Sequence, residues 1–533
     1  MRVNTHKETN NHAYFIGGGI ASLAGAVFLI RDGGWAGERI HILEDRPVNG
    51  GSLDGSGDAQ QGYVIRGGRM LNEPTYECTW ELLDSIPSID SPGKSVKDDI
   101  YAFTEKYPTH AQARLVDKDR NIVDVEHMLF SNKDRLDIGK LLVTSEEHLG
   151  RQKINEWFEP EFFETNFWFM WATMFAFQPW HSLVEFKRYM IRFMHEFPRI
   201  HTLAGVARTP YNQFDSIVLP IQRWLESQGV RYERNTRVTD LDFKPDPTGK
   251  SSVVADRIQV VKDGNTGSIE VNPNDLVFFT NGSMTESSDL GSMTSAPEPG
   301  GKGPSFGLWE KIAAKLPGSG NPSAFDDHIP ESKWASFTVT CKNPMFFNFM
   351  ENFSCNKAGT GALVTFKDSS WLMSVVLAHQ PHFRNQPEDV QVFWGYGLFP
   401  DKPGDYVRKK MSECTGEEIL TELLSHLKLA EKLPDMLESS ICIPCMMPFI
   451  TSQFMPREAG DRPQVVPDGS GNFAFIGQFT EIPDDVVFTV EYSVRTAQTA
   501  VYKLLDIDKK IPGMYHGNHH AKVLFDSLVT MVR

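Results

Sequence analysis

Ala13-Tyr14-Phe15-Ile16-Gly17-Gly18-Gly19-Ile20-Ala21-Ser22 is the stretch that decides the fold. Four apolar residues, enough for one short buried strand, run into a glycine triplet, and Leu23 to Ile30 then has the composition of a buried helix. Arg39-Ile40-His41-Ile42-Leu43 follows as a second strand and ends on Glu44. Strand, glycine turn, helix, strand and acid stand in the order a dinucleotide fold requires. Gly17 permits the tight turn, Gly19 lets the backbone approach a pyrophosphate, and the first turn of the helix faces that charge. Glu44 stands where a carboxylate accepts from the adenosine ribose hydroxyls. Ser22 takes the place of the usual third glycine.

Outward from this unit, a second glycine turn, Gly50-Gly51-Ser52-Leu53-Asp54-Gly55, precedes Tyr63-Val64-Ile65-Arg66-Gly67-Gly68-Arg69. Flavin proteins of the glutathione-reductase type use such a turn to approach the diphosphate and ring. Leu276 to Gly282 and Phe473 to Gln478 each have the form of a strand leaving on a small residue, the second before a helix from Tyr492 to Leu504. The reading is therefore an α/β protein with a discontinuous FAD-binding Rossmann-like domain (1–74, 212–300 and 466–505). Its insertions are a helical, aromatic-rich segment (75–211) and a mixed β/α segment (301–465), and a helical tail (506–533) follows. No second nicotinamide-type glycine turn is visible, which counts against an NAD(P)H-driven reductase.

The chain has 533 residues with a formal net charge of −16 and 40% hydrophobic residues, a balance that suits a soluble, globular protein and repels nucleic-acid phosphates. Six scattered cysteines and a polar start favour a reducing, cytoplasmic setting. Cys442-Ile-Pro-Cys445 has redox spacing without a thioredoxin-like context, so it is read as structural, and no metal is expected. From Thr165 to Val184 no charged residue occurs; Asn166, Gln178, Pro179 and His181 argue for buried helices lining an apolar cavity rather than a membrane span. Ala521, Leu524, Phe525, Leu528, Met531 and Val532 form an amphipathic stripe that either docks on the body or lies on lipid.

Several strings together are more specific than the flavin fingerprint. Residues 17–24, 50–55 and 66–69, with Phe-Gln-Pro-Trp-His-Ser (177–182), Tyr-Asn-Gln-Phe (211–214), Thr-Asn-Gly-Ser (280–283), Gln-Pro-His-Phe (380–383) and Val-Phe-Thr-Val-Glu-Tyr-Ser-Val-Arg (487–495), resemble the oleate hydratases, also called myosin-cross-reactive antigens. The resemblance implies addition of water to a cis double bond of an unsaturated long-chain fatty acid, with FAD bound but not consumed. It also implies a homodimer working at a membrane surface. By it, Tyr211 is the proton donor, and Gln380, His382, His379, Asn212, Phe177 and Trp180 meet the substrate. FAD is assigned to Gly17, Gly19, Ala21, Ser22, Glu44, Asp45, Ser52, Arg66, Gly67, Gly68 and Met70, with Asn281, Gly282, Ser283, Gly477, Phe479 and Asp485.

Two departures stand out. The family string Arg-Gly-Gly-Arg-Glu-Met places a water-activating Glu where this chain has Met70, a thioether that cannot accept a proton at neutral pH. The family pattern Thr-x-Asn-Arg-Gln-Pro-His-Phe supplies polar groups for the fatty-acid carboxylate, whereas Val376 and Ala378 occupy two of those places here. His382, with His379 or Gln380, is left to hold the head group. A flavin-dependent fatty-acid isomerase or desaturase, and a non-catalytic flavin and lipid binder, are the alternatives.

Overall fold

The computed structural model describes residues 11–68, 70–298, 300–361 and 363–532; Arg69 of the motif quoted above lies outside them. Five strands drawn from distant parts of the chain form one parallel sheet, in the order Phe473–Ile476, Leu276–Thr280, Ala13–Ile16, Ile40–Leu43, Arg231–Glu233. All four residues of Ala13–Ile16 are buried, as expected of a central parallel strand covered on both faces. Helix Ile20–Arg31 and helix Val490–Leu504 cover one face. The other face carries an antiparallel ribbon (Thr236–Pro245, Val253–Lys262, Asn265–Glu270) and helix Pro304–Lys315, joined to it through Tyr14, Phe279, Phe306 and Trp309. Ser22 is fully buried with its hydroxyl 3.4 Å from that of Thr280. The close helix–strand approach falls one turn later, at Gly25, where a Cβ would sit 2.5 Å from the Phe15 ring.

A second, seven-stranded sheet stands beside the first, built mainly on Ser440–Met447, Trp334–Cys341, Gln391–Gly397, Met373–Val376 and Leu363–Phe366. Period-two alternation divides its side chains. Phe337, Val339, Val375 and Phe393 pack against helices Met345–Ser354 and Gly416–His426, while Trp334, Val392, Trp394 and Tyr396 face the opposite way, towards Tyr63 and Ile65. The hairpin Gly55–Asp58/Gly62–Ile65 is held there by Tyr63 N–H donating to Thr340 Oγ1 at 2.9 Å and Ile65 N–H to Thr338 Oγ1 at 3.2 Å.

The chain crosses between the sheets more often than the sequence boundaries suggest. Asp289–Leu290 joins the second sheet, whereas Pro304–Lys315 packs on the first. The aromatic helices Asn166–Phe175 and Leu183–Arg192 share one apolar core with Ile20–Arg31 and Val490–Leu504. No helix among the described residues is long and apolar enough to cross a membrane. The terminal helix Ala521–Val532 docks on the body: Met531 is buried, Ser527 Oγ donates to Met194 O at 3.0 Å, and Arg135 Nε donates to Met531 O at 2.8 Å. Phe525 and Leu528 of its apolar stripe remain 66% and 56% exposed.

Candidate active site

Two cavities lie on either side of neighbouring residues: Arg66 and Gln478 line the first, Ile65, Gly68, Met70 and Thr489 the second. The first, of about 410 Å³, opens at the C-terminal ends of the parallel strands, where such folds place their ligands. Gly17, Gly19, Ala21, Glu44, Asp45, Ser52, Arg66, Gly282, Ser283 and Gly477 line it. Gly17 has φ +97°, and Gly51 has φ +57° with its hypothetical Cβ only 3.1 Å from Gly19 Cα, so the two glycine turns touch backbone to backbone. Gly19 caps helix Ile20–Arg31 without any side-chain acceptor, leaving the first-turn N–H groups free for an anion. Glu44 accepts from Gly18 N–H at 2.6 Å and Arg46 N–H at 2.9 Å, and its burial pushes its pKa upward. Arg66 is locked by two bonds to Asp54 (2.8 and 2.9 Å) and by the carbonyls of Gly51 and Thr285. Asp45 pairs with Arg237 at 3.0 Å.

The residues present fit a flavin dinucleotide. The Asn49 side chain, beside Gly18 and Glu44, is buried with neither its oxygen nor its nitrogen hydrogen-bonded. Such a group is costly unless a ligand satisfies it. Several residues assigned to the cofactor lie elsewhere. Ser22 bridges helix and strand. Asn281 donates to Phe479 O at 2.9 Å and accepts from Thr480 Oγ1 at 2.8 Å, and Phe479 is buried among Phe306, Trp309 and Phe325. Asp485, fully buried, pairs with Arg495 at 3.1 Å and Arg192 at 3.4 Å. Gly67 is not part of the cleft wall, and Gly68 and Met70 line the second cavity instead.

That second cavity is apolar, walled by Met174, Phe175 and Ala176, by Phe103, by Trp334, Trp394 and Tyr396, and by Val376 and Ala378. Besides the hydroxyls of Tyr76 and Tyr396, which donate to Met70 O (3.1 Å) and to Thr173 O, it has two further polar places. Arg208, His379 and His382 form one, with Thr209 and Gln213 beside them. Arg208 donates to Thr109 Oγ1 at 3.3 Å and Gly361 O at 2.9 Å; among the described residues no carboxylate pairs with it. Burial lowers its pKa to about 10, which still leaves a cation at neutral pH. Burial, then Arg208 and His379, depress His382 to about 4. Between pH 6.5 and about 4, therefore, the unfolded chain protonates this imidazole and the folded one does not. Stability is full above that window and falls as pH drops through it. His382→Gln should take up about one proton fewer on unfolding there, a difference that urea titrations across the window would read; identical slopes would refute it.

The other polar place is the Tyr189 hydroxyl, which donates to Val487 O at 2.5 Å. Val487 opens the turn whose Phe488, Thr489 and Val490 line the apolar cavity, while Gln478 of the glycine cleft donates to Thr489 O and accepts from Phe488 N–H. Tyr189 thus reaches the partition between the two cavities. Phe488 adopts φ +71°, a strained conformation for a bulky residue.

The structure does not bring Tyr211 to this cavity. Its ring lies under the Arg384 guanidinium, 4.6 Å from centroid to carbon, while its neighbours Thr209 and Gln213 line the wall. Asn212 binds His382 O through its backbone N–H (2.9 Å) and its side chain (3.0 Å), so it positions that loop. Gln380 is saturated by Ala378 O, Val392 O, Val392 N–H and Gln386. Phe177 stacks on Phe454 at 4.5 Å, and Trp180 donates to Glu331 O at 2.9 Å; neither lines the cavity.

The sequence model of the MCRA family matches residues 10–502. The chain belongs to the MCRA family. It is 43% identical to "Oleate hydratase" of Streptococcus pyogenes serotype M49 (strain NZ131) over 523 residues, 96% of this chain and 88% of that protein. It is 36% identical to "Linoleate hydratase" of Lactiplantibacillus plantarum over 528 residues, 92% and 93% of the two chains. Among solved structures, cyclohexylamine oxidase from Brevibacterium oxydans IH-35A superposes with a TM-score of 0.53 at 12% identity, covering 93% of this chain and 99% of that one, a likeness of fold alone.

In this MCRA-family chain the polar cavity-lining residues that sequence reasoning did not nominate include Tyr189 and Arg208, with Gln213 present only within a quoted motif. Tyr189 follows Phe186 by three positions on a helix buried on nearly every side, so periodicity could not single it out. Arg208 carries no local signal; its significance is that it is a cation in an apolar wall. No Asp or Glu stands among the described lining residues of the cavity, consistent with Met70 in place of the family Glu.

Proposed function

We propose that this protein is a hydro-lyase that adds water to a cis double bond of an unsaturated long-chain fatty acid, yielding a hydroxy fatty acid. The observation that carries the reading is one apolar cavity holding a cation–imidazole group and, separately, a phenol at the partition from a dinucleotide cleft. In this reading FAD occupies that cleft, in a domain of the glutathione-reductase type, and supplies a polarisable wall rather than electrons, because hydration involves no net redox change. Its holders are the glycine turns, Glu44, Arg66 and Asn49.

Arg208, His379 and His382 receive the carboxylate in place of the missing Thr and Asn. Burial of the tail, at ~0.8 kcal/mol per methylene, supplies of order 10 kcal/mol and orders the chain along the cavity. Tyr189 then delivers a proton to one alkene carbon. Burial holds this phenol well above its ordinary pKa, so it stays protonated at every working pH. It is a weak acid, and water must add as the proton moves. With Met70 at the position of the family Glu, neutral polar groups orient that water. The oxonium formed on C–O bonding is strongly acidic, and its proton returns through water to the Tyr189 phenolate, which regenerates the acid without a carboxylate. Exposed Phe525 and Leu528 support work at a membrane surface, and a homodimer in a reducing cytoplasm completes the reading.

The test is incubation with oleic, linoleic and palmitoleic acids in the presence of FAD, followed by mass spectrometry. Hydration adds one water to the mass; an unchanged mass with a moved double bond indicates isomerisation, and loss of two hydrogens indicates desaturation. Binding without any product refutes catalysis. For the head group, Arg208→Ala should raise KM about 10- to 100-fold, because a charged hydrogen bond to the carboxylate is lost equally in ground and transition states. A matching fall in kcat would place Arg208 in the chemical step instead.

A further inference from the structure

On the face of the seven-stranded sheet turned away from the apolar cavity, helix Gly416–His426 ends on His426, one turn beyond Glu422. Residues four apart share a helix face, so both side chains reach the loop that carries Asp405. His426 Nε2 lies 3.3 Å from Glu422 Oε1 and 3.4 Å from Asp405 Oδ2. The His426 side chain is only 8% exposed, yet this nitrogen makes no hydrogen bond of good geometry, and both carboxylates stand from it at ion-pair distance instead. As a bare lone pair it would be repelled by two anions.

The remaining lone pairs of the two acids are already oriented. Glu422, fully buried, accepts from the N–H groups of Asp405 (2.6 Å), Tyr406 (3.0 Å) and Val407 (2.9 Å). Asp405 accepts from Ser370 N–H (2.8 Å) and Ser370 Oγ (2.6 Å). The imidazole plane is set by Phe366, stacked at 5.5 Å, and by the edge of Tyr406 at 5.1 Å. Four ligands around zinc at about 2.0–2.1 Å stand about 3.3–3.4 Å apart along each edge of the tetrahedron, which is the spacing of the imidazole nitrogen from each carboxylate oxygen here.

We propose that Asp405, Glu422 and His426 bind one divalent zinc ion, with water as the fourth ligand on the partly exposed Asp405 side. The imidazole–carboxylate set suits zinc better than calcium or magnesium, which prefer all-oxygen shells. Its role is structural. It ties the 405–407 loop, and through Ser370 the turn that opens strand Met373–Val376, to the helix behind the sheet, so it braces a wall of the cavity from outside. The site departs from the metal-free reading of the sequence and does not depend on the proposed activity.

The test uses the full-length protein, stripped with dipicolinate, desalted, and titrated with ZnCl2 by calorimetry, with bound metal counted by plasma mass spectrometry. One zinc per chain is expected, together with a zinc-dependent rise in Tm and, on loading with Co2+, the visible bands of tetrahedral cobalt. His426→Ala and Asp405→Asn should each weaken zinc binding at least about 100-fold and abolish those bands. Should His426→Ala fail to fold, Asp405→Asn, altered on a partly exposed loop, decides the matter. Wild-type protein that binds no stoichiometric zinc would leave a histidine–carboxylate ion pair only and overturn the proposal. Binding that survives unchanged in the variants, at surface imidazoles such as His516 and His519, would overturn it equally.

Discussion

Tyr189→Phe lowers the rate of fatty-acid hydration about 10²- to 10⁴-fold, the range that a positioned general acid contributes. The substitution removes one hydroxyl from a buried ring and its hydrogen bond to Val487 O, a loss of about 1 kcal/mol in stability. The aromatic packing against Phe175, Phe177 and Phe193 stays in place. Fatty-acid affinity, read by displacement of a fluorescent lipid, should therefore stay near that of wild type while turnover collapses. Tyr211→Phe is the necessary partner experiment. Its ring keeps its stacking under Arg384 without the hydroxyl, so the rate should not change. The opposite pattern, with Tyr211 essential and Tyr189 dispensable, would return the proton donor to the residue that the motif resemblance indicated and require the 208–213 wall to move.

Gly19→Val should yield a folded, colourless protein with flavin content at least about tenfold below wild type and no measurable hydration. Gly19 has φ −77° and ψ 178°, an extended conformation that valine adopts readily, and the nearest atom to a Cβ there is Gly51 Cα at 3.9 Å. The branched side chain thus costs the fold little. It fills the approach to the free N–H groups of helix Ile20–Arg31, where the diphosphate has to come within hydrogen-bond distance. Wild-type protein at FAD a hundredfold above Kd gains about 2.7 kcal/mol from binding, so its Tm rises on adding FAD and that of the variant should not. A variant purified with stoichiometric FAD would show that the dinucleotide lies elsewhere. Arg66→Ala would be a poorer test, since it also takes from Asp54 its closer ion-pair partner and leaves only the exposed Arg46 at 3.3 Å.

Sequence and structure part company at identifiable residues. The strand–glycine–helix–strand–acid unit of residues 13–44 is seen as read, and so are the returning strands at Leu276–Thr280 and Phe473–Ile476. Those elements are dictated by near neighbours, through apolar runs of strand length, glycines at a turn and helical composition. The resemblance groups Phe479 and Asp485 with the cofactor, yet one fills a core and the other neutralises Arg192 and Arg495. Gln380 is polar and sits beside His382 in sequence, yet backbone amides and Gln386 consume its whole hydrogen-bonding capacity.

The amino-acid sequence alone determined the strand–glycine–helix–strand–acid unit of residues 13–44, because each part of it lies within a few residues of the next and needs only local backbone conformation to form; the far wall of the cleft, at Gly282, Ser283 and Gly477, comes from distant strands. It also determined that Met70 cannot serve as a base, a matter of side-chain chemistry independent of folding. Only the tertiary structure decided which tyrosines line the apolar cavity (Tyr76, Tyr189 and Tyr396) and which cation stands there. Tyr189 meets Val487 across 298 residues, and Arg208 reaches Gly361 across 153. Such meetings depend on how helices and sheets pack together, and packing leaves no periodic trace at a single position.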